Sequence, residues 1–396
     1  MNKELFLKEN CPDRHGTSCS KWDILPTKFG ETDLVSMWVA DMDFKVPRAV
    51  TDTLREKVEH GIFGYTLTPD SYYDAFIRWE KERHGWEVKK EWIRFAPGVV
   101  TGLFWFVHLL TKPGDAVILH MPVYYPFHAA IKDTGRKLVF SELVNTGGYY
   151  TIDFDDFEKK IVDNDVKLYI MSSPHNPVGR VWTEEELTRI LEICRKHNVK
   201  VLSDEIHHDL ILGDRPHIPT ATIGGGKYYD MVVTMTAASK TFNLAGMKNS
   251  FIIIPDDRMR AEFDKLAANL HETFGASLGY FAVEAAYNNG AEWLDTVLDI
   301  IRENYRYVAV RVKEDLPKAV LTPLEGTYLA WLDLSGYVGK ATKDEMKDFV
   351  QTRARLAVDY GSEFGEGGKG FIRLNLATHP DYVKKAMDGL VYAANA

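Results

Sequence analysis

The middle of the chain alternates short apolar runs with longer stretches whose apolar residues have helical spacing. Six runs between about residues 90 and 255 predict strands: 115–120, 137–141, 166–171, 200–202, 231–235 and 251–254. Several are nearly continuous in Val, Ile, Leu and Met, which is typical of strands buried on both faces. Segment 183–197 opens with Thr-Glu-Glu-Glu, a capping signal that predicts a helix. Together these features predict an α/β fold in three layers, with a mostly parallel sheet between helices.

The pattern changes after about residue 256. It is helical through residue 311, and it then predicts a strand at 327–332, a helix near 343–353 and a strand at 371–376. A chain of 396 residues is also long for one ordinary core. We therefore predict a large domain over residues 48–288, and a smaller α+β domain that combines residues 1–47 with 289–396.

Composition excludes several classes of function. With 45% hydrophobic and 27% charged residues the chain is typical of soluble globular proteins. Its net charge of -9, without a Lys/Arg cluster beyond short helical faces, argues against a nucleic-acid partner. No apolar signal region or stretch of membrane-spanning length is evident, so we expect a cytoplasmic protein without membrane contact. The three cysteines lack CxxC and Cys/His spacing, which predicts no metal site.

A lysine and a carboxylate follow two of the predicted strands. Lys240 comes shortly after the run 231–235, and Asp204 comes directly after the run 199–203. Ligands of parallel sheets bind at the carboxyl ends of the strands. A lysine amine can form a Schiff base with an aldehyde, and a carboxylate that faces a pyridine nitrogen keeps it protonated. The pair therefore favours pyridoxal phosphate chemistry, although either residue alone is compatible with a solvated lysine or a helix cap.

Three motifs occur in a fixed order around these residues. They are Asn-Pro-Val-Gly from Asn176, Asp-Glu-Ile-His from Asp204, and Ser-Lys followed by Gly246 around Lys240. Their order and strand context resemble the fold type I pyridoxal phosphate enzymes of the aminotransferase class I/II superfamily, over the whole chain. The resemblance implies that Lys240 is the Schiff-base lysine, that Asp204 pairs with the pyridine nitrogen, and that Asn176 bonds the ring 3-hydroxyl. It also implies that Arg373 binds the substrate α-carboxylate.

Further cofactor contacts follow from the same resemblance. Segment 96–102, Ala-Pro-Gly-Val-Val-Thr-Gly, leads into an apolar helical stretch, so its amides would form an anion site; a plain helix entry would look similar. The family pattern assigns the phosphate contacts to four residues and the aromatic that stacks on the ring to a fifth: Val99, Val100, Ser239, Lys248 and Tyr124. Family members often carry Ser or Thr where Ala237 stands and Arg where Lys248 stands. Ser239 and Tyr65 are therefore expected to contribute more of the phosphate binding.

Two N-terminal segments narrow the family. Residues 14–23 and 37–44 resemble signatures of the cystathionine β-lyase, or carbon-sulfur lyase, branch. His207 is typical of that branch, whereas aspartate aminotransferases usually place Tyr there, so the second partner of the 3-hydroxyl stays open. The resemblance places Ala40 and Tyr125 at the substrate. It also implies that Tyr65 reaches the phosphate of a neighbouring subunit, and hence a homodimer with shared sites.

The function implied is β-elimination on cystathionine or another cysteine S-conjugate, which gives a thiol, pyruvate and ammonia. Lys240, Asp204 and Tyr124 would be its catalytic residues, with Lys240 as the base that removes the Cα proton. Transfer of the amino group to a 2-oxo acid is the second hypothesis, because it shares the steps up to Cα proton removal. A regulatory or interaction protein that binds the cofactor is the third.

Overall fold

The computed structural model describes residues 2–396. A seven-stranded sheet forms its middle layer. In spatial order the strands are Ile93–Ala96, Ser250–Ile253, Val232–Thr236, Lys200–Asp204, Val166–Ser172, Ala116–Met121 and Lys137–Glu142. Ser250–Ile253 is antiparallel to both of its neighbours, and the remaining adjacent pairs are parallel. The predicted mostly parallel α/β fold is confirmed.

The strands are apolar at successive positions because helices cover both faces of the sheet. In the strand Ala116–Met121, Val117 and Leu119 pack into one apolar cluster, whereas Ile118 packs into another. The helices that contribute to the Val117 side are Val99–Leu110, Pro126–Lys132 and Asp257–Leu270. Those that contribute to the Ile118 side include Arg48–His60, Asp70–His84, Phe154–Asp163, Glu184–Lys196 and Ser277–Asn289.

The capping signal in segment 183–197 acts as its residue types predict. Thr183 is extended and its side chain accepts a hydrogen bond from the Glu186 amide, while the Glu186 carboxylate accepts one from the Thr183 amide. These reciprocal bonds satisfy amides that have no partner within the helix. The helix therefore begins at Glu184 and continues to Lys196.

The C-terminal part contains an antiparallel sheet. Its strands in spatial order are Val320–Leu321, Leu329–Asp333, Phe371–Asn375 and Asp359–Tyr360, and its helices are Ala291–Asp315, Ser335–Val338, Lys343–Lys347 and Pro380–Asn395. The predicted strand at 327–332 begins only at Leu329, because Thr327 has a left-handed φ of 69°. The predicted helix near 343–353 changes after Lys347 into a π-helix, Asp348–Arg353.

The N-terminal segment contacts this C-terminal part. It contains the helices Lys3–Asn10 and Leu25–Phe29, and its strand Val35–Ser36 pairs in parallel with Leu356–Ala357. Such pairing is what the combination of residues 1–47 with 289–396 requires. The domain boundaries themselves stay a prediction.

Shorter elements complete the chain. They are the hairpin Val144–Thr146 and Tyr149–Thr151, the short helices Ile223–Gly226 and Ala238–Thr241, and the 3₁₀ turns Lys90–Trp92, Thr220–Thr222, Ala245–Met247, Gly361–Phe364 and Glu366–Gly368. Within residues 2–396, no helix combines the length and the apolar composition needed to span a membrane.

Candidate active site

A cavity of about 290 Å³ opens at the carboxyl ends of the parallel strands. Ser172 and Asp204 end two neighbouring strands and line it, and Lys240 follows a third strand, Val232–Thr236. Of the residues predicted for the site, those that line this cavity are Ala40, Val99, Val100, Tyr124, Asn176, Asp204, His207, Ser239, Lys240 and Lys248. Residues from distant parts of the sequence therefore converge where ligands of parallel sheets bind.

Lys240 lies on the short helix Ala238–Thr241. Its Nζ donates a hydrogen bond to the carbonyl of Ala40 at 2.7 Å, and the Tyr328 hydroxyl donates to the same carbonyl at 2.8 Å. Burial, and then the positive charge of Arg373, lower the pKa of the amine to about 8, although nearby carboxylates oppose the shift. About a tenth of the amine is therefore neutral and nucleophilic at pH 7, far more than for an ordinary lysine.

Asp204 is a buried carboxyl group with an open acceptor. Within residues 2–396 its side chain accepts one hydrogen bond, from the Ile206 amide at 3.1 Å. Burial raises the pKa of Asp204 to about 7, while that amide and the charge of Lys240 oppose the shift. A cationic N–H placed in the cavity would offset the cost of burying this carboxylate.

Arg373 is held by residues on both sides. Its Nη1 donates to Asn176 Oδ1 at 2.9 Å, and its Nη2 pairs with the carboxylate of Asp359, which lies opposite it in the adjacent strand. Burial raises the pKa of Asp359, although Arg373 opposes the shift. Arg373 does not itself line the cavity, but Asn176 does. Within residues 2–396 the buried Nε of Arg373 has no hydrogen-bond partner.

The start of the helix Val99–Leu110 offers an anion site. Its first amides have no partner within the helix, and Ser239 and Lys248 line the same cavity. Gly98 precedes the helix with an extended φ of 169°, and a Cβ at this position would meet no atom within 4 Å. The entrance to this helix is thus open to a ligand, and its partial positive charge adds to that of Lys248.

Two ring-bearing side chains complete the lining. Burial, and then the neighbouring Tyr125, raise the pKa of Tyr124 to about 12, so its hydroxyl stays protonated at neutral pH. His207 is buried, and its Nδ1 has no hydrogen-bond partner within residues 2–396. Burial, together with the charges of Lys240 and Arg373, keeps the pKa of His207 well below its usual value. A neutral imidazole with an unsatisfied nitrogen therefore faces the site.

Besides Arg373, two predicted residues lie outside this cavity. Tyr65 is fully exposed, and the side chains of Ile62, Phe63 and Leu67 beside it are also largely exposed. Tyr125 is half-exposed, and its ring packs 5.2 Å from that of Tyr124, measured between centroids. A single chain therefore does not bring Tyr65 to its own cavity, and its predicted contact with a neighbouring subunit stays a prediction.

Some residues that support the site were not predicted from the sequence. Asn243 donates to the carbonyls of Met42 and Phe44 and accepts from the Met42 amide, which fixes segment 37–44 beside the helix of Lys240. Asp359 balances Arg373, as described above. The signal for Asn243 was its position three residues after Lys240; nothing local marks Asp359.

The comparisons with known proteins agree with this geometry. A family model described as aminotransferase class I and II matches residues 32–390. The chain belongs to this family. The match includes the sheet, the lysine helix and the strand of Arg373. The predicted resemblance is confirmed at the level of the family.

Three relatives within the family are especially similar. Cystathionine beta-lyase PatB of Bacillus subtilis is 42% identical over 94% of this chain and 97% of that protein. Cystalysin from Treponema denticola, solved with a pyridoxal 5'-phosphate cofactor, is 37% identical with a TM-score of 0.93, covering 97% of this chain and 98% of that chain. A PLP-bound C-S lyase from Staphylococcus hominis is 34% identical with a TM-score of 0.90, covering 98% of each chain.

Proposed function

We propose that this protein is a pyridoxal phosphate-dependent carbon-sulfur lyase. It takes cystathionine or a related cysteine S-conjugate and, with one water, gives the thiol, pyruvate and ammonia. The observation that carries the proposal is the single cavity that holds Lys240, Asp204 and Asn176, in a chain closely similar to named carbon-sulfur lyases.

The residues present fit this cofactor. Lys240 offers a buried amine with a lowered pKa, Asp204 offers a carboxylate with one open acceptor, and the start of the helix Val99–Leu110 offers amides for a phosphate. Nδ1 of His207 is a further polar atom without a hydrogen-bond partner among the described residues 2–396. Tyr124 supplies an aromatic face beside them.

When bound, pyridoxal phosphate supplies an aldehyde for the lysine and a ring that accepts electrons from the substrate Cα. Lys240 would hold the aldehyde and, once free as a neutral amine, accept the Cα proton. Asp204 would keep a proton on the ring nitrogen. Arg373, joined to Asn176, would bind the α-carboxylate and so orient the Cα–H bond toward Lys240.

The test is the fate of L-cystathionine with purified protein. Pyruvate and a free thiol are measured with and without an added 2-oxo acid. Thiol release without the acceptor is the expected result. Amino transfer that depends on the acceptor, with no thiol, would instead identify an aminotransferase, which is the reaction named in the family description. Matched samples of Lys240→Ala control for activity from contaminants.

A homodimer with shared active sites and a cytoplasmic location are part of the same proposal. The dimer is supported by the exposed apolar side chains at Ile62, Phe63, Tyr65 and Leu67, an unusual density for one short segment. Sedimentation of the purified protein tests the dimer. Cell fractionation tests the location.

A further inference from the structure

A second polar cluster lies close to the active site along the chain but lines a different cavity. His208 and Asp209 follow His207 directly, yet they border a cavity of about 380 Å³ together with His84 and His217. None of these four residues lines the candidate active site. Consecutive residues of this segment thus line two separate polar cavities.

Asp209 lies at the centre of this cluster and is fully hydrogen-bonded. One carboxylate oxygen is 2.9 Å from Trp79 Nε1 and 3.0 Å from His84 Nε2. The other is 3.1 Å from His208 Nε2 and 2.7 Å from the hydroxyl of Thr241. Through Asp209, these contacts join the helix Asp70–His84 to His208, next to His207, and to Thr241, next to Lys240.

Glu80 is the unsatisfied member of the cluster. It lies one helical turn before His84, is 1% exposed, and its Oε1 has no hydrogen-bond partner within residues 2–396. That oxygen lies 3.6 Å from His208 Nε2 and therefore faces the other polar groups. A buried carboxylate oxygen without a partner is costly. The arrangement is explained if a cation occupies the space among these groups.

We propose that Glu80, His84 and His208 bind a divalent transition-metal ion such as Zn²⁺, with Asp209 as the fourth ligand. The ion would replace the hydrogen bonds that Asp209 now makes with the two imidazoles. One candidate ligand atom from each of Glu80, His84 and His208 lies within 4.8 Å of the others. Ligand atoms about 2.0–2.2 Å from a tetrahedral zinc are roughly 3.4 Å apart, so small side-chain shifts suffice. The carboxylates of Glu80 and Asp209 would also neutralise the 2+ charge of the ion, and a buried site requires such neutralisation.

The surroundings of the cluster suit a metal. His208 Nδ1 is 3.0 Å from the hydroxyl of Thr236, the kind of second contact that orients a ligating imidazole. The adjoining cavity gives the ion a route from solvent, since His84 and His208 both line it. The sequence prediction of no metal site rested on cysteine spacing, whereas this ligand set contains no cysteine.

The site has a structural role in this proposal. Asp209 follows the strand that carries Asp204, and Thr241 is adjacent to Lys240 in the sequence. A metal that joins His84 to Asp209 would therefore fix the helix Asp70–His84 against both elements. The ion lies outside the active-site lining and takes no part in the chemistry.

The experiment uses the holoenzyme, stripped of metals by a chelator in the presence of pyridoxal phosphate and then dialysed against Zn²⁺. Atomic emission should find one tightly bound zinc per chain. X-ray absorption at the zinc edge should show two imidazoles and oxygen ligands. Glu80→Gln and His84→Asn should each weaken zinc binding at least about tenfold, since changes in the outer shell alone cost that much.

His197→Asn is the matched control, because His197 is only partly exposed, pairs with Glu158 at 2.7 Å and does not belong to the cluster. Its zinc affinity should equal that of the wild type. The proposal is overturned if the wild type retains no stoichiometric zinc, or if its zinc has no imidazole ligands. Equal zinc affinity in folded Glu80→Gln and wild type also overturns it. The wild-type spectrum decides the matter even if a variant fails to fold.

Discussion

Replacing Arg373 with lysine tests the substrate-binding part of the proposal. The guanidinium is buried, donates to Asn176 at 2.9 Å and pairs with Asp359. A lysine at this position keeps the positive charge and the pairing with Asp359. It has one nitrogen in place of three, however, and cannot hold Asp359, Asn176 and a substrate carboxylate in fixed directions.

The expected loss follows from the bonds removed. One hydrogen bond to a charged group contributes about 1.5–3 kcal/mol, which corresponds to roughly ten- to a hundredfold in affinity. Arg373 does not line the cavity that contains Lys240 and Asp204, so the amount of bound cofactor should be unchanged. The effect should therefore appear in KM for the amino acid, and in kcat to the extent that the substrate is misoriented.

The assay compares bound cofactor, KM and kcat for Arg373→Lys and the wild type. Arg311→Lys is the control. Arg311 joins Asp315 on its own helix to Asp388 on the helix Pro380–Asn395, does not line the cavity, and should behave as wild type. If Arg373→Lys titrates with the amino acid as the wild type does, Arg373 does not bind the carboxylate. A parallel loss of cofactor would mean that it supports the cofactor site instead.

Four further predictions concern the same site. Burial raises the pKa of Asp204 from 3.8 to about 7, so the unfolded chain loses this proton at lower pH than the folded chain, and the stability of cofactor-free protein falls as pH rises from about 4 to 7. Asp204→Asn should flatten this fall when Tm is measured against pH, and an unchanged profile contradicts the prediction. Because the pKa of Lys240 is lowered to about 8, covalent uptake of pyridoxal phosphate by cofactor-free protein should accelerate with pH and level off above about 8, and a rise that continues to pH 10 would refute this. Gly98→Ala should leave Tm near that of the wild type, because its Cβ meets no atom, while weakening cofactor binding about tenfold; a lowered Tm would contradict it. Mixing Lys240→Ala with an impaired Tyr65 variant should restore activity after subunit exchange if sites are shared, and no recovery despite proven exchange would assign Tyr65 to its own subunit.

The extent of the helices and strands was only partly readable from the sequence. The strand 166–171 extends to Ser172 in the structure, and the strand 200–202 extends to Asp204, because these ends pair with each other. The strand predicted at 327–332 was too long because the Thr327 amide bonds to Leu210, far away in sequence, while Thr327 takes a left-handed φ. Local patterns located the elements, and contacts between distant segments set their ends.

The sequence by itself determined the layered fold and the position of Lys240 and Asp204 at the carboxyl ends of its strands. Continuous apolar runs require a sheet covered on both faces. Asp204 ends one such run and Lys240 comes shortly after another, so their convergence follows from the parallel pairing of the two strands. Only the tertiary structure decided that Asp359 pairs with Arg373 and that Glu80 and His84 lie against His208. No local pattern encodes these contacts, because each joins side chains from different elements whose relative positions depend on the packing of the whole core.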